Sequence, residues 1–466
     1  MIGGCMGKEF DRTYSRRDFL KTTAALAAVG LTTSLTPDLL YAEAGTDLKG
    51  VTIDYWNMIG IQNPIVKQLS ESIIKAFEQR TGAKVNTTWD TYGSIIGPKY
   101  RTNFVAGKIP TVFDAISSWT GQLRSFLRPV NDFVGAWEAE TREAISWLFP
   151  LIKVQNRGFP DADQIYDLPF LIIPQAPVVT RLDHWKQAGL DFEQNWPIKD
   201  TDHFLEILKA FKTGKVAEYP YEVYGKIWDA GDTQLNGWVR SLDIEKSDFL
   251  NADWTRSNCD SEPWIKGVQF YVDLFRKYHY SSPDSPQSTD EDAVEQLIRG
   301  QKSIVHADIL NRGTFLKRIP KDVEAGLIQW GPHFPMAGGT SGSVVFQAMA
   351  SFSITKQTGS DAEIKERAAW EFVKEWFRTE NQIALAKSSG LCARRDVWDG
   401  LKGAPDHYIE AVTSMLNNPG VWSNHPKSVD IQYNLFGPHI QQAMGGADVA
   451  SELKAYAEEV NKILQA

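Results

Sequence analysis

Cysteine is scarce: three in 466 residues, too few for a disulfide framework or a four-thiolate metal cluster. There is no basic excess either. Lys and Arg number 49 against 58 Asp and Glu, a formal charge of −9. That balance offers no electrostatic footprint for nucleic acid, so a DNA- or RNA-binding surface is excluded as the expectation. Long apolar runs are missing. The longest, 22–35, falls short of the about 20 residues a membrane span needs. There is no internal repeat, low-complexity tract or coiled coil. Catalytic signatures are missing as well: no H-E-x-x-H helix, no G-x-S-x-G elbow, no phosphate-cradling G-x-x-x-x-G-K-[ST]. Acidic residues are plentiful, but no spacing singles out the carboxylate pair of a glycoside hydrolase.

What remains is ordinary in bulk. Hydrophobic residues at 42% and charged at 23% match a globular chain and exclude a disordered, collagenous or polytopic one. The length corresponds to two or three domains at about 150 residues each. The unusual feature is aromatic: 16 Trp, 15 Tyr and 23 Phe. Many such rings fill core, but the count invites a ligand that favours aromatic faces.

The first 44 residues read as an export signal. Ser15-Arg16-Arg17-Asp18-Phe19-Leu20-Lys21 precedes the short apolar run, and Ala42-Glu43-Ala44 supplies the small-x-small cleavage pattern. The paired arginines predict the twin-arginine (Tat) route. Cleavage after Ala44 leaves 422 residues and removes Cys5. No cysteine follows the apolar run to carry a lipid, so a chain free in a periplasm is expected. Cys259 and Cys392 remain; two free thiols are the expectation, with pairing in an oxidising compartment as the alternative.

Past the signal, strand and helix alternate. The β-branched alternation of 51–56 predicts a strand. Asn63-Pro64 predicts the start of a helix that carries Ile65, Val66, Leu69, Ile73 and Phe77 at helical spacing and stops at Gly82. Strands at 83–89 and 111–116 flank a helix over 100–106. Such alternation is the signature of a largely parallel sheet with helices on its faces, and ligands bind beyond the carboxyl ends of such strands. Later helices are expected over 200–211, 263–277, 291–299, 368–377 and from Asp448 to the end, with strands over 166–173, 303–307 and 344–354. Trp137, Trp147, Trp370 and Trp376 lie in helical stretches and are expected in the core. The acidic run 290–292 reads as a solvated helix start rather than a cation site.

The order of several short motifs resembles the extracellular solute-binding proteins of ABC sugar importers, the broad group that contains the maltose-binding protein. The carriers are Ile74-Lys75-Ala76-Phe77-Glu78-Gln79-Arg80-Thr81-Gly82-Ala83-Lys84-Val85, Ala106-Gly107-Lys108-Ile109-Pro110-Thr111-Val112-Phe113-Asp114, Ile165-Tyr166-Asp167-Leu168-Pro169, Leu297 to Ser303, Ala369-Trp370-Glu371-Phe372-Val373 and Gly390-Leu391-Cys392-Ala393-Arg394-Arg395. The chain departs from the family in having Arg181-Leu182-Asp183 for Asn-x-Asp and Cys392 for Pro. The resemblance spans 50–464. It implies an α/β periplasmic-binding-protein fold of two lobes, each a mostly parallel sheet flanked by helices, joined by a multi-strand hinge. The lobes would be 45–168 with 345–396, and 169–344 with 397–466, with crossings near 167–175, 341–346 and 394–398.

The same resemblance implies a sugar or polyol held between the lobes and passed to ABC permease subunits, no cofactor, no metal, no catalysis and a monomer. Flat rings would cover the sugar's C–H faces while amides, carboxylates and imidazoles fix its hydroxyls. The candidates are Trp56, Asn57, Trp89, Tyr92, Ser118 and Trp119 on the first lobe, Gln175 at the crossing, and Trp228, Asp229, Gln234, Trp238, His306, Asp308, Trp330, Phe346 and Gln347 beyond it. Rings from the two lobes are expected to face each other. For each ring the alternative is plain core or surface. A secreted carbohydrate-active hydrolase, or a binding protein for a polyamine, remains the rival reading.

Overall fold

The computed structural model describes residues 47–465, except 63, 92–93, 96–97, 175, 227–231, 341–342 and 389; the side chains of 61–64, 232–233, 343–348 and 417–418 are likewise outside the description. The expected signal segment, and the expected site residues Tyr92, Gln175, Trp228 and Asp229, lie outside the described residues. So do the side chains of Phe346 and Gln347.

Strand β1 (Thr52–Asn57) buries alternate residues, Ile53 and Tyr55 among them. The helix Pro64–Thr81 returns across the sheet with Val66, Ile73 and Phe77 inward. Gly82 stops it at φ +73°, a conformation that costs glycine little. β2 (Lys84–Trp89) follows, then the helix Lys99–Val105 and β3 (Val112–Ile116). These three strands pair in parallel around β1, as strand–helix–strand crossovers require. After β3 the chain coils through 3₁₀ turns, Ser117–Phe126, and reaches the short helix Phe149–Gln155.

β4 (Leu168–Pro174) is buried along its length, and β5 (Val178–Arg181) follows within a few residues. Helices Thr201–Thr213, Asp232–Leu242, Glu262–Arg276 and Asp290–Ile298 then precede β6 (Ile304–His306) and β7 (Ile328–Gly331). β8 (Ser343–Ile354) is the longest strand. Helices Ala362–Trp376 and Thr379–Ser388, β9 (Leu391–Cys392), helix Tyr408–Ser414 and β10 (Asn418–Val421) come next, and helices Phe436–Gly445 and Val449–Gln465 end the chain.

Two sheets result. The larger runs β2-β1-β3-β8-β4-β9 with β10 on β8; the smaller is β6-β5-β7. The α/β class and the flanking helices are as the sequence predicts, but strand direction corrects the expectation of mostly parallel sheets. Among the described residues only β1–β2, β1–β3 and β8–β10 are parallel. β8 runs antiparallel to both β3 and β4, β4 to β9, and every pair in the smaller sheet is antiparallel. The physical reason is connection length. A single helical crossover forces parallel neighbours, whereas strands that arrive over long excursions carry no such constraint.

The helices form where periodicity and caps place them. Asp200 caps Thr201–Thr213 by accepting from the His203 amide at 2.9 Å. Thr289 and Asp292 close a capping box over Asp290–Ile298, which accounts for the acidic run as a helix start. Asp448 accepts from Ser451, and Val449, Leu453, Tyr456 and Val460 of the last helix are buried. Trp137, Trp370 and Trp376 are core rings; Trp137 packs edge-on to Trp370 at 4.9 Å. Trp147 is half-buried and donates its Nε1–H to the Ala393 carbonyl at 3.0 Å. Cys259 and Cys392 are buried free thiols. Among the described residues no helix is long and apolar enough to cross a membrane.

Candidate functional site

At the carboxyl end of β1 a buried carboxylate organises the turn. Asp114 Oδ1 accepts the amides of Met58 and Ile59, both at 2.8 Å, and the Tyr55 hydroxyl donates to Oδ2. Burial pushes the Asp114 carboxyl up to about 6, against those three hydrogen bonds. Asn57 completes the scaffold. Its Nδ2 donates to the Tyr55 oxygen at 2.7 Å and its Oδ1 accepts from the Gly60 amide at 2.7 Å. Asn57 therefore holds the loop rather than facing outward. The Trp89 ring lies over that loop: a Cβ on Gly60 would stand 2.7 Å from it. Trp89 is half-buried with the Lys67 ammonium 4.9 Å from its centroid. Trp56 points the other way along the pleat and packs edge-on against Tyr100 at 4.9 Å.

Beyond β3, the turn Ser117-Ser118-Trp119 meets two distant segments. Gln155 Nε2 donates to Ser117 Oγ at 2.9 Å. Ser428 Oγ donates to the Ser118 carbonyl at 2.6 Å, and Trp119 packs edge-on to Tyr433 at 5.6 Å. Asn424 clamps the same turn, accepting from the Gly121 amide at 2.6 Å and donating to Thr120 at 2.9 Å. Three buried oxygens on these touching segments find no partner among the described residues: Ser118 Oγ, Gln155 Oε1 and Gln432 Oε1. Gln432 lies one helical turn beyond Ser428, on the same face. Buried polar atoms are rarely left unpaired, which singles out this junction as the candidate contact for a hydroxylated solute.

Ser118 and Trp119 were legible as strand-end residues. Gln155, Asn424, Ser428, Gln432 and Tyr433 were not. They reach the turn from 38 to 314 positions away in the chain, and no local pattern marks them.

Gln234, Trp238 and His306 do come together, but inside the smaller-sheet half. The Tyr221 hydroxyl accepts from Gln234 Nε2 at 2.8 Å and shares a hydrogen bond with His306 Nδ1 at 2.6 Å. His306 Nε2 meets no partner among the described residues. Burial and the neighbouring His333 hold His306 well below the ordinary imidazole range. Trp238 stands edge-on to His306 at 5.4 Å and to Phe270 at 4.9 Å. Asp308 is half-buried, caps the turn after β6 by accepting the Leu310 amide at 2.8 Å, and is raised by burial to about 6. Trp330 lies in β7, edge-on to Tyr408 at 5.2 Å and to Phe315 at 5.8 Å. Among the described residues the ring partners of Trp56, Trp238 and Trp330 come from their own surroundings rather than from one another, while Trp119 meets Tyr433 of the stretch 397–466. Among the described residues no group of three or more His, Cys, Asp or Glu is placed to hold a metal ion.

The family model described as bacterial extracellular solute-binding protein matches residues 72–397. A twin-arginine translocation signal model matches 13–33. Comparison with curated proteins yields no match. Among solved structures, an ABC-transporter solute-binding protein from Thermotoga lettingae, bound with α-D-tagatose, is similar with TM-score 0.70 and 19% identity, covering 89% of this chain and 100% of that one. The maltose-bound MalE3 of T. maritima gives TM-score 0.71 at 16% identity, with 89% and 100% covered. A solute-binding protein from Agrobacterium radiobacter in complex with ribitol gives 0.70 at 16%, with 90% and 100% covered. The fold is that of the two-lobe periplasmic binding proteins.

Proposed function

Because this chain belongs to the bacterial extracellular solute-binding protein family and carries a Tat signal for export to the periplasm, we propose that it binds a neutral sugar or polyol and delivers it to an ABC permease. The observation that carries the reading is the buried lining beyond β3. There the Ser118, Gln155 and Gln432 oxygens, without partners among the described residues, stand on segments that also carry Trp119 and Tyr433 or touch them. Rings for C–H faces and uncharged oxygens for hydroxyls are the chemistry a neutral carbohydrate requires. The tagatose, maltose and ribitol named for the structural relatives point to the same class. Of the rings expected at the site, Trp119 stands on this turn and Trp89 lies over the loop after β1.

The lobes in this reading are 45–168 with 345–396, and 169–344 with 397–466. Support comes from where the chain changes sheets. It leaves the larger sheet after Pro174 and enters the smaller at Val178, then returns between Gly331 and Ser343. The protein acts as a monomer and catalyses nothing.

A thermal-shift panel of maltose, tagatose, ribitol, spermidine and a sugar phosphate tests this. A solute bound only by the folded state raises the melting temperature, by about 2.7 kcal/mol of stabilisation at a hundred times Kd. Stabilisation by a neutral sugar or polyol is the expected result. Stabilisation by spermidine alone, or release of reducing ends from oligosaccharides that a carboxylate substitution abolishes, overturns it.

A further inference from the structure

Away from that lining, an aromatic side chain joins the two sheet-bearing halves. Trp254 belongs to a hairpin-like excursion, closed by the Leu250–Ser257 bridge. It lies between helices Asp232–Leu242 and Glu262–Arg276, in the stretch between β5 and β6 of the smaller sheet. Its ring rests on Gly158, in the stretch between β3 and β4 of the larger sheet. A Cβ on Gly158 would fall inside the indole. Phe159 stands edge-on to the same ring at 5.1 Å. The indole Nε1–H donates to Ser423 Oγ at 2.9 Å, and His425 packs edge-on at 5.2 Å. Trp254 is 8% exposed and holds a backbone φ of +59°, a left-handed conformation that a bulky residue keeps only when its surroundings impose it.

A polar clasp lies beside the ring. Arg157 Nη2 meets Asp248 Oδ2 at 2.8 Å, and its Nε donates to the Ala252 carbonyl at 3.1 Å. Asp248 Oδ2 also accepts from the Ser423 amide at 3.1 Å and hydroxyl at 2.6 Å. These groups come from three stretches of chain and fit one relative orientation of the halves. A ring seated on bare backbone has no second seat after a rotation.

We infer that Trp254, seated on Gly158 and flanked by the Arg157–Asp248 pair, is a latch that positions the two halves in the closed, solute-holding arrangement. This rests on the solute-binding reading. In the arrangement seen, the turn Ser117-Ser118-Trp119 of one half is buried against Ser428 and Tyr433 of the other, as a closed cleft requires. A contact present in only one arrangement shifts the population toward it, whereas a contact common to both shifts nothing.

The test uses Gly158→Ala, Trp254→Ala and Trp254→Phe in the full mature protein. Gly158 has no left-handed φ, so alanine disturbs the ring's seat and not the backbone. Spin labels at Lys84→Cys and Lys266→Cys, both exposed and one on each half, report the distance between halves; Cys259 and Cys392 are buried and stay unlabelled. We expect a narrow distance distribution in the parent and a broadened, longer one in the Gly158→Ala and Trp254→Ala variants, with Trp254→Phe between. Calorimetry with whichever of maltose, tagatose or ribitol stabilises the parent should show roughly tenfold weaker binding in the two disrupted variants, the scale of one well-packed ring, expressed mainly as faster release. Folded variants with the parent's distances and affinity overturn the latch. A parent that binds none of the three sugars, while its variants still broaden, overturns the sugar-binding reading and leaves the positioning role standing.

Discussion

Asp167, just before β4, is buried, and its carboxylate oxygens meet no other residue's polar group among the described residues. Burial lifts its carboxyl to about 7, with the charge of Arg124 acting in the opposite direction. The folded protein therefore keeps this proton to a higher pH than the unfolded chain, whose aspartate titrates near 4. Between those values the native state binds the extra proton, so stability falls as pH rises and the loss is complete above about 7. At about 1.4 kcal/mol per pH unit the loss is on the order of a few kcal/mol. Asp167→Asn, neutral at every pH, should melt higher than the parent at pH 8, with the difference shrinking at pH 5. Parallel melting curves for the two proteins across that range would show that Asp167 finds a charge partner after all. Tyr166-Asp167-Leu168-Pro169 was legible as a motif. That its carboxylate is enclosed was not, because enclosure comes from the coil after β3 and from β8.

Elements with a period or a cap were readable, and elements held by distant side chains were not. The helices Thr201–Thr213 and Val449–Gln465 announce their inward faces and their Asp caps in the sequence. The stretch 281–292 reads only as a polar loop of Ser, Pro and Asp, yet it ends in the helix Asp290–Ile298 and its first part is pinned from sixty residues upstream. The buried Glu222 carboxylate accepts from the hydroxyls of Ser282, Ser285 and Ser288 at 2.9, 2.7 and 2.9 Å and pairs with Lys302. Backbone bonds follow, with the Gly225 amide donating to the Ser285 carbonyl at 2.7 Å. Glu222→Ala strands the Lys302 ammonium, whose side chain is 3% exposed. Breaking a buried pair from one side costs about 3–5 kcal/mol, whereas replacing both partners by apolar groups of similar size recovers much of it. Denaturant unfolding of Glu222→Ala and of Glu222→Leu with Lys302→Met should show that ordering. Equal losses in both would mean that the serine bonds, not the ion pair, hold the loop.

At the scale of the molecule, the two sheets and their helices could be anticipated from motif order, while the strand directions and the groups that join the halves could not. Arg312 shows why. No motif marks it, yet its Nε meets Asp406 at 2.9 Å, its Nη1 donates to the Lys387 carbonyl at 2.9 Å, and its guanidinium lies 4.6 Å from the Tyr408 ring. Tyr408 in turn donates to the Gly390 carbonyl at 2.9 Å, and Trp330 of β7 donates its amide to the Asp406 carbonyl at 3.0 Å. The network ties the stretch after β6 of the smaller sheet to the residues entering β9 of the larger. Trp330 stands in β7 just before the chain returns to the larger sheet, so in the proposed two-lobe reading this network is the pivot about which the halves would turn. A pivot keeps its contacts in open and closed arrangements alike, and interactions equal in both states shift no population. Arg312→Ala, which leaves the buried Asp406 unpaired, should cost about 3–5 kcal/mol of stability. Arg312→Lys should cost less, since the ammonium still pairs with Asp406, but not nothing, because it cannot serve the carboxylate and the carbonyl together. Solute affinity in Arg312→Lys should nonetheless stay within about threefold of the parent, a difference of roughly 0.6 kcal/mol, in contrast to the latch variants. Chemical unfolding and calorimetry on the same samples check both halves of the expectation. An affinity loss that matches Trp254→Ala would move Arg312 from the pivot to the moving interface.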